Sequence, residues 1–233
     1  LHCTSKWLNA ALFKTQTLID PDSLLGLAFV ADVKVVKEPV VKSLCKDKLD
    51  FTIKQATTSS FDRPITMLNG YPLHLSGFDG SGILIAVLDG GFFNADKISS
   101  LNNLRNRNGI TGTYDFVDNN QFVYDYHTHG TAVLSVLAGQ IEGIILGTAP
   151  EADFLLLRTE DVSSEFSSEE DLWAAAAEFA DSAGADIISS SLGYYYFDNP
   201  TLDYKYSNLD GNTAFVTRAA DIAASKGILV VNS

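Results

Sequence analysis

The sequence predicts an α/β protein: a parallel sheet with helices on both faces, preceded by a small α+β unit. Three observations carry this expectation. Short continuous apolar runs recur from residue 70 onward, helix-patterned segments separate them, and glycines close those helices. Strands that are apolar on both sides are the mark of a sheet covered on both faces, and intervening helices supply the crossovers that parallel pairing needs. The size is adequate for one sizeable core. The chain has 233 residues, of which 46% are hydrophobic and 19% charged. That composition excludes collagen-like and disordered classes. The net charge of −13 argues against nucleic acid and anionic membrane as partners, since both reward basic patches. No apolar stretch approaches the ~20 residues of a membrane-spanning helix.

Residues 1–45 have their own texture. Trp7 to Phe13 reads as a strand, Pro21-Asp22-Ser23-Leu24-Leu25 as a helix start, and Phe29 to Val36 as an alternating strand. The expectation is a β-α-β unit too small to be very stable alone. Residues 46–69 are polar, with Thr57-Thr58-Ser59-Ser60 at their centre, and read as a linker. Cys3 and Cys45 form either one disulfide or two unrelated thiols. A disulfide would close a loop of about 42 residues, worth roughly 3–4 kcal/mol. The absence of a Cys-x-x-Cys or Cys/His cluster speaks against zinc.

In the larger part, Ile83 to Leu88 is a buried strand ending in Asp89-Gly90-Gly91. Thr131 to Ala138 is a helix closed by Gly139, and Phe154 to Leu157 a second strand. Ser167 and Glu170 have capping-box spacing and open an Ala-rich helix that ends near Gly184. Asp186 to Ser191 is a third strand. Asn212 or Thr213 caps a helix running to Lys226. Residues 228–233 read as a buried strand that stops short, which predicts that the sheet is incomplete in this chain.

Ligands of an open parallel sheet bind beyond the carboxyl ends of its strands. Asp89 lies there, as either a turn former or a working carboxylate. His129 stands at the mouth of an apolar helix, with Gly130 allowing close approach of backbone. A carboxylate that meets an imidazole fixes its tautomer and stabilises its protonated form. His127 is the other imidazole of the motif; His-x-His without further ligands is weak ground for a metal. Ser191-Leu192-Gly193 ends another strand, as a plain strand-to-loop passage or as an edge for an extended peptide. Tyr194-Tyr195-Tyr196 either packs or lines a substrate site.

In this order the motifs resemble those of the subtilisin-like serine proteases. Ile85-Ala86-Val87-Leu88-Asp89 is similar to the family's aspartate motif, and His129-Gly130-Thr131 to the start of its histidine motif, with Ala132 where the family usually has a second histidine. Ser191-Leu192-Gly193 is similar to its substrate-binding wall. Leu229 to Ser233 resembles the strand before its oxyanion asparagine. The resemblance spans residues 70–233 and implies a subtilisin-like fold and a serine endopeptidase. In it Asp89 orients His129, His129 is the general base, and Ser191, Leu192 and Gly193 hold the substrate backbone. Residues 1–45 are similar, more loosely, to a propeptide, which implies a zymogen-like state.

One departure matters. Gly-Thr occurs at Gly112, Gly130 and Gly147 and is followed by Tyr114, Ala132 and Ala149, never by serine. The nucleophile and the oxyanion asparagine are therefore expected beyond this chain, on a second polypeptide that completes the fold. The other expectation is a non-catalytic subtilase-fold binding module or an inactive fragment. A phosphate-binding domain fits Phe92-Phe93-Asn94 poorly. The substrate implied is protein or peptide, the location secreted or periplasmic, and no cofactor is implied. Calcium is common in the resembled family, but no loop shows a convincing ligand pattern.

Overall fold

The computed structural model describes residues 1–17, 19–37, 48–49 and 62–233. Cys45, and with it the disulfide reading, lies outside the described residues, as does Thr57 to Ser60. The elements begin with strands β1 (Cys3–Ser5) and β2 (Ala10–Leu12), then the short helices α1 (Pro21–Leu25), α2 (Arg63–Met67) and α3 (Tyr71–Leu75). The sheet-bearing part follows as β3 (Leu84–Asp89), α4 (Asn102–Asn106), β4 (Ile110–Asp115), α5 (His129–Ala138), β5 (Gln140–Ile141), β6 (Ile145–Leu146), β7 (Asp153–Arg158), α6 (Ser168–Ala183), β8 (Ile187–Ser190), α7 (Phe215–Ser225) and β9 (Leu229–Asn232).

The central sheet has five strands in the order β4-β7-β3-β8-β9, and every pairing in it is parallel. Its position explains the continuous apolar runs. Successive side chains of a strand face opposite sides. Ala86, Leu88, Leu155, Leu157 and Ile188 accordingly join one core with α6 and α7. Ile85, Val87, Phe154 and Leu156 join a second core with Leu101, Leu104 and Leu134 on the other side. Both faces are dry, so no alternation shows in the sequence. The alanines of α6 at 174–177 and 180 are all buried, and their small size lets the helix lie close to the sheet. Gly184 ends α6 with φ +83°, a left-handed cap that glycine adopts without strain.

Several expectations are corrected. The first 36 residues are no β-α-β unit. β1 and β2 form an antiparallel hairpin, in register from Cys3 opposite Leu12 to Ser5 opposite Ala10. Residues 30–37 form no strand, because an alternating pattern needs a neighbouring strand to bond with and none of the described residues supplies one. The end of that segment instead contacts the body, with Lys37 Nζ 3.3 Å from Asp161 Oδ2 and Ser167 Oγ donating to Val36 O. Within the span read as linker, residues 63–67 are the helix α2, held by a buried Ile65. Ser167 and Glu170 do not form a capping box. Glu170 points inward, accepting from Tyr204 Oη at 2.8 Å and from Val216 N at 3.2 Å. α7 starts at Phe215, later than expected. Asp210 accepts from the backbone N–H groups of both Asn212 and Thr213, so a turn occupies those positions. Within these 233 residues β9 pairs with β8 alone, as the last strand of the sheet.

The hairpin is latched to α6 by one carboxylate. Glu178 accepts from Ser5 Oγ at 2.6 Å, from Lys6 N at 2.9 Å and from Trp7 N at 3.1 Å. Hydrogen bonds to a charged group are worth about 1.5–3 kcal/mol each. Glu178→Ala is expected to release residues 1–12. Limited proteolysis should then cut the variant ahead of residue 12 while the wild type resists. Equal cutting of both would show that the latch does not hold the hairpin.

Candidate active site

Asp89 is the last residue of β3 and is wholly buried. Parallel registry places Arg158 beside it on β7, and Ser190 beside Leu88 on β8. Ser191 to Gly193 therefore leave the sheet next to Asp89. His129 is the first residue of α5 and half-buried. Its Nδ1–H donates to Asp89 Oδ2 at 2.8 Å, with Oδ1 at 3.0 Å. Gly90 N–H donates to Asp89 Oδ1 at 2.7 Å. Burial is the largest influence on the Asp89 carboxyl and raises its pKa above the usual value. The His129 hydrogen bond, the His129 charge and the Gly90 N–H oppose that rise, and the nearby Glu160 charge adds to it.

Two glycines make this contact possible. A Cβ on Gly130 would sit 2.5 Å from Gly91 O and 3.0 Å from Asp89 Cβ, so only glycine lets α5 begin this close to the β3 end. Gly91 has φ +140°, in the region that L side chains rarely adopt. A Cβ there would also sit 2.5 Å from Tyr126 Cβ and 2.7 Å from His127 N. Thr131 Oγ1 donates to Phe93 O at 2.9 Å, tying the first turn of α5 to the loop after β3. The second histidine of the motif serves the start of the helix. His127 Nδ1 accepts from His129 N at 3.1 Å, satisfying one of the N–H groups that a helix start leaves without an internal partner.

Of Ser191, Leu192 and Gly193, Leu192 is buried in the α6–α7 core, while Gly193 is exposed with open space where a side chain would lie. The tyrosine run divides. Tyr194 Oη donates to Glu160 Oε1 at 2.5 Å, whereas Tyr196 is exposed and packs edge-on against Tyr195.

The sequence pattern does not reveal a second feature of this rim. Three carboxylates, Glu160, Glu165 and Glu169, surround the ammonium of Lys48 at 2.9, 3.0 and 2.7 Å. Arg158, at the end of β7, is likewise buried between Asp115 (2.8 Å) and Asp118 (2.9 Å), with the Tyr126 ring 3.6 Å away. The acidic run between Arg158 and α6 is the one local signal of the cluster. The partner of its carboxylates lies more than a hundred residues earlier in the chain.

A buried carboxylate bonded to an imidazole thus stands at the carboxyl edge of a parallel α/β sheet. The chain belongs to the subtilase family (Peptidase_S8), whose profile matches residues 80–233. It is 30% identical over 209 residues to subtilisin E of Bacillus subtilis (strain 168), covering 87% of this chain and 47% of that protein. It is 32% identical over 120 residues to thermitase of Thermoactinomyces vulgaris, covering 49% and 39%. The chain thus spans about half the length of the relatives it matches. Among solved structures, the MycP3 protease from the type VII (ESX-3) secretion system superposes with a TM-score of 0.55 at 21% identity, over 75% of this chain and 45% of that one. MycP1 from Mycobacterium smegmatis gives 0.52 at 20% identity, over 76% and 46%. At that identity the likeness is one of fold. Among the described residues no helix is long and apolar enough to cross a membrane.

Proposed function

We propose that the whole protein is a serine endopeptidase of the subtilisin type. Asp89 holds the His129 ring through Nδ1, and Nε2 takes the proton from the nucleophile and returns it to the leaving amine. The nucleophilic serine and the oxyanion asparagine come from residues other than these 233. Ser191, Leu192 and Gly193 offer backbone groups to an extended peptide. The observation that carries this reading is the 2.8 Å contact between Asp89 and His129. Two side chains 40 residues apart meet there behind a buried strand end, at a glycine that admits no side chain.

The leading residues act as a propeptide-like covering in a zymogen-like state, and the protein works outside the cytoplasm, secreted or periplasmic. Lys48 and Leu49 support the covering role, since both rest on the rim beside Asp89. The test is a serine-directed covalent probe applied to the whole protein after removal of the leading segment. One labelled serine is expected, and His129→Ala should abolish its labelling. If the wild type takes up no label, the protein is a binding module built on the same fold.

A further inference from the structure

We infer that Arg158 is a positioning residue for the His129 base: acting through Tyr126, it fixes the loop from which α5 starts at the height of the Asp89 carboxylate. This inference rests on the peptidase reading and adds a residue which that reading does not use.

Arg158 ends β7 and is the registry partner of Asp89, whose backbone carbonyl accepts from Thr159 N at 3.0 Å. Its guanidinium is met by other carboxylates. Nη1 donates to Asp115 Oδ2 at 2.8 Å and to Asp118 Oδ2 at 2.9 Å. Asp115 is wholly buried and also accepts from Val117 N and Asp118 N, so the cluster has a fixed base. Arg158 Nε, in contrast, is buried with no hydrogen-bond partner among the described residues. A buried donor without an acceptor is costly, so charge pairing alone does not account for an arginine here. What an arginine adds over a lysine is a planar face on which a ring can rest. The Tyr126 ring uses it: the guanidinium carbon stands 3.6 Å from the ring centre, and Tyr126 Oη donates to Asp118 Oδ2 at 3.0 Å. Burial first, and that hydrogen bond next, hold the Tyr126 hydroxyl above its usual pKa, so it stays a donor.

Tyr126 passes this hold to the histidine. Its Cβ lies 2.5 Å from where a Cβ on Gly91 would stand, against the loop after β3. The next residue continues the contact. His127 O accepts from Phe93 N at 3.1 Å, and His127 Nδ1 accepts from His129 N at 3.1 Å. Thr128 is exposed, so the segment takes its position from Tyr126 and His127. Residues 126–129 are thus clamped between the Arg158 cluster and the strand end that carries Asp89. A reacting group displaced by about 1 Å can lose on the order of a hundredfold in rate.

The test uses the whole protein with its leading segment removed. Asp89 from β3 and His127, 6.3 Å away between ring centres, face the His129 ring, and the Glu160 charge acts on Asp89. Asp89 stabilises the protonated ring, so a looser contact moves the acid limb of kcat/KM to lower pH. In Arg158→Lys and in Tyr126→Leu, kcat should fall by about tenfold or more with KM little changed, and the limb should move down by about half a pH unit or more. Tyr126→Phe keeps the ring on the guanidinium and should hold the limb at its wild-type place. A limb that stays put in both Arg158→Lys and Tyr126→Leu, whatever the thermal midpoint does, overturns the inference. So does Tyr126→Phe behaving like Tyr126→Leu. If the wild type cleaves no peptide, the peptidase reading fails, and the positioning is decided by NMR titration of the His129 ring. Tyr126→Leu should shift that titration to lower pH, and an unmoved titration refutes the role of Arg158. Tyr126 is only half-buried, so its variant carries the test should Arg158→Lys not fold.

Discussion

Asp89→Asn is expected to lower kcat of the whole protein by about ten-thousandfold while leaving the fold in place. The reason lies in which proton each group can give or take. Asp89 accepts the His129 Nδ1–H at 2.8 Å and the Gly90 N–H at 2.7 Å. An asparagine fills the same volume, but it offers one carbonyl oxygen in place of two acceptors, together with an amide that must donate. With Gly90 N–H claiming the oxygen, the amide would face His129 Nδ1 and favour the tautomer whose proton sits on Nε2. That ring cannot act as a base. The loss should appear in kcat and kcat/KM alike, with the thermal midpoint shifted by only a few degrees. A loss below tenfold, in a folded variant, would mean that Asp89 does not orient His129 during the reaction. Rescue at high pH discriminates further, since hydroxide can strip the misplaced proton whereas a merely misfolded site gains nothing from it.

The same pair shows where the amino-acid sequence is legible. β3, Asp89 and His129 are marked locally: a continuous apolar run, then an acid and two glycines; an imidazole, then a glycine and an apolar helix. Local pattern is enough where the signal lies within a few residues. It fails where the determinant is a distant partner. Phe29 to Val36 alternates well enough for a strand, yet no described strand pairs with it, so the pattern has nothing to hold it in a sheet. Glu170 has the spacing of a capping residue but is drawn inward by Tyr204 and Val216, 34 and 46 residues away. Lys48 reads as part of a polar linker because its carboxylate partners lie 112 to 121 residues later.

The largest loss of stability is expected from Trp173→Ala. Trp173 lies in the first half of α6, 2% exposed, in the core that α6, α7 and one face of the sheet share. Its neighbours there include five buried alanines of the same helix, Ala174 to Ala177 and Ala180, and Ala219 and Ala223 of α7. Such residues have no long side chains with which to refill a void, so the site collapses poorly, and cavity cost depends on that. Truncation should cost about 3–5 kcal/mol. At this size each kcal/mol moves the midpoint by roughly 2–4 °C, so a fall of about 6–20 °C is expected in calorimetry of the whole protein. The indole also donates Nε1–H to Ser190 Oγ at 3.0 Å, and Ser190 immediately precedes Ser191 to Gly193. Trp173→Phe separates the two contributions. It keeps most of the ring in place and removes one buried hydrogen bond, at about 1–3 kcal/mol. A Trp173→Ala cost below about 1 kcal/mol would mean that α6 packs on the sheet without this anchor. If Trp173→Phe left stability intact yet raised KM for extended peptides, the indole would matter chiefly by holding the end of β8 in position for the backbone that docks beside it.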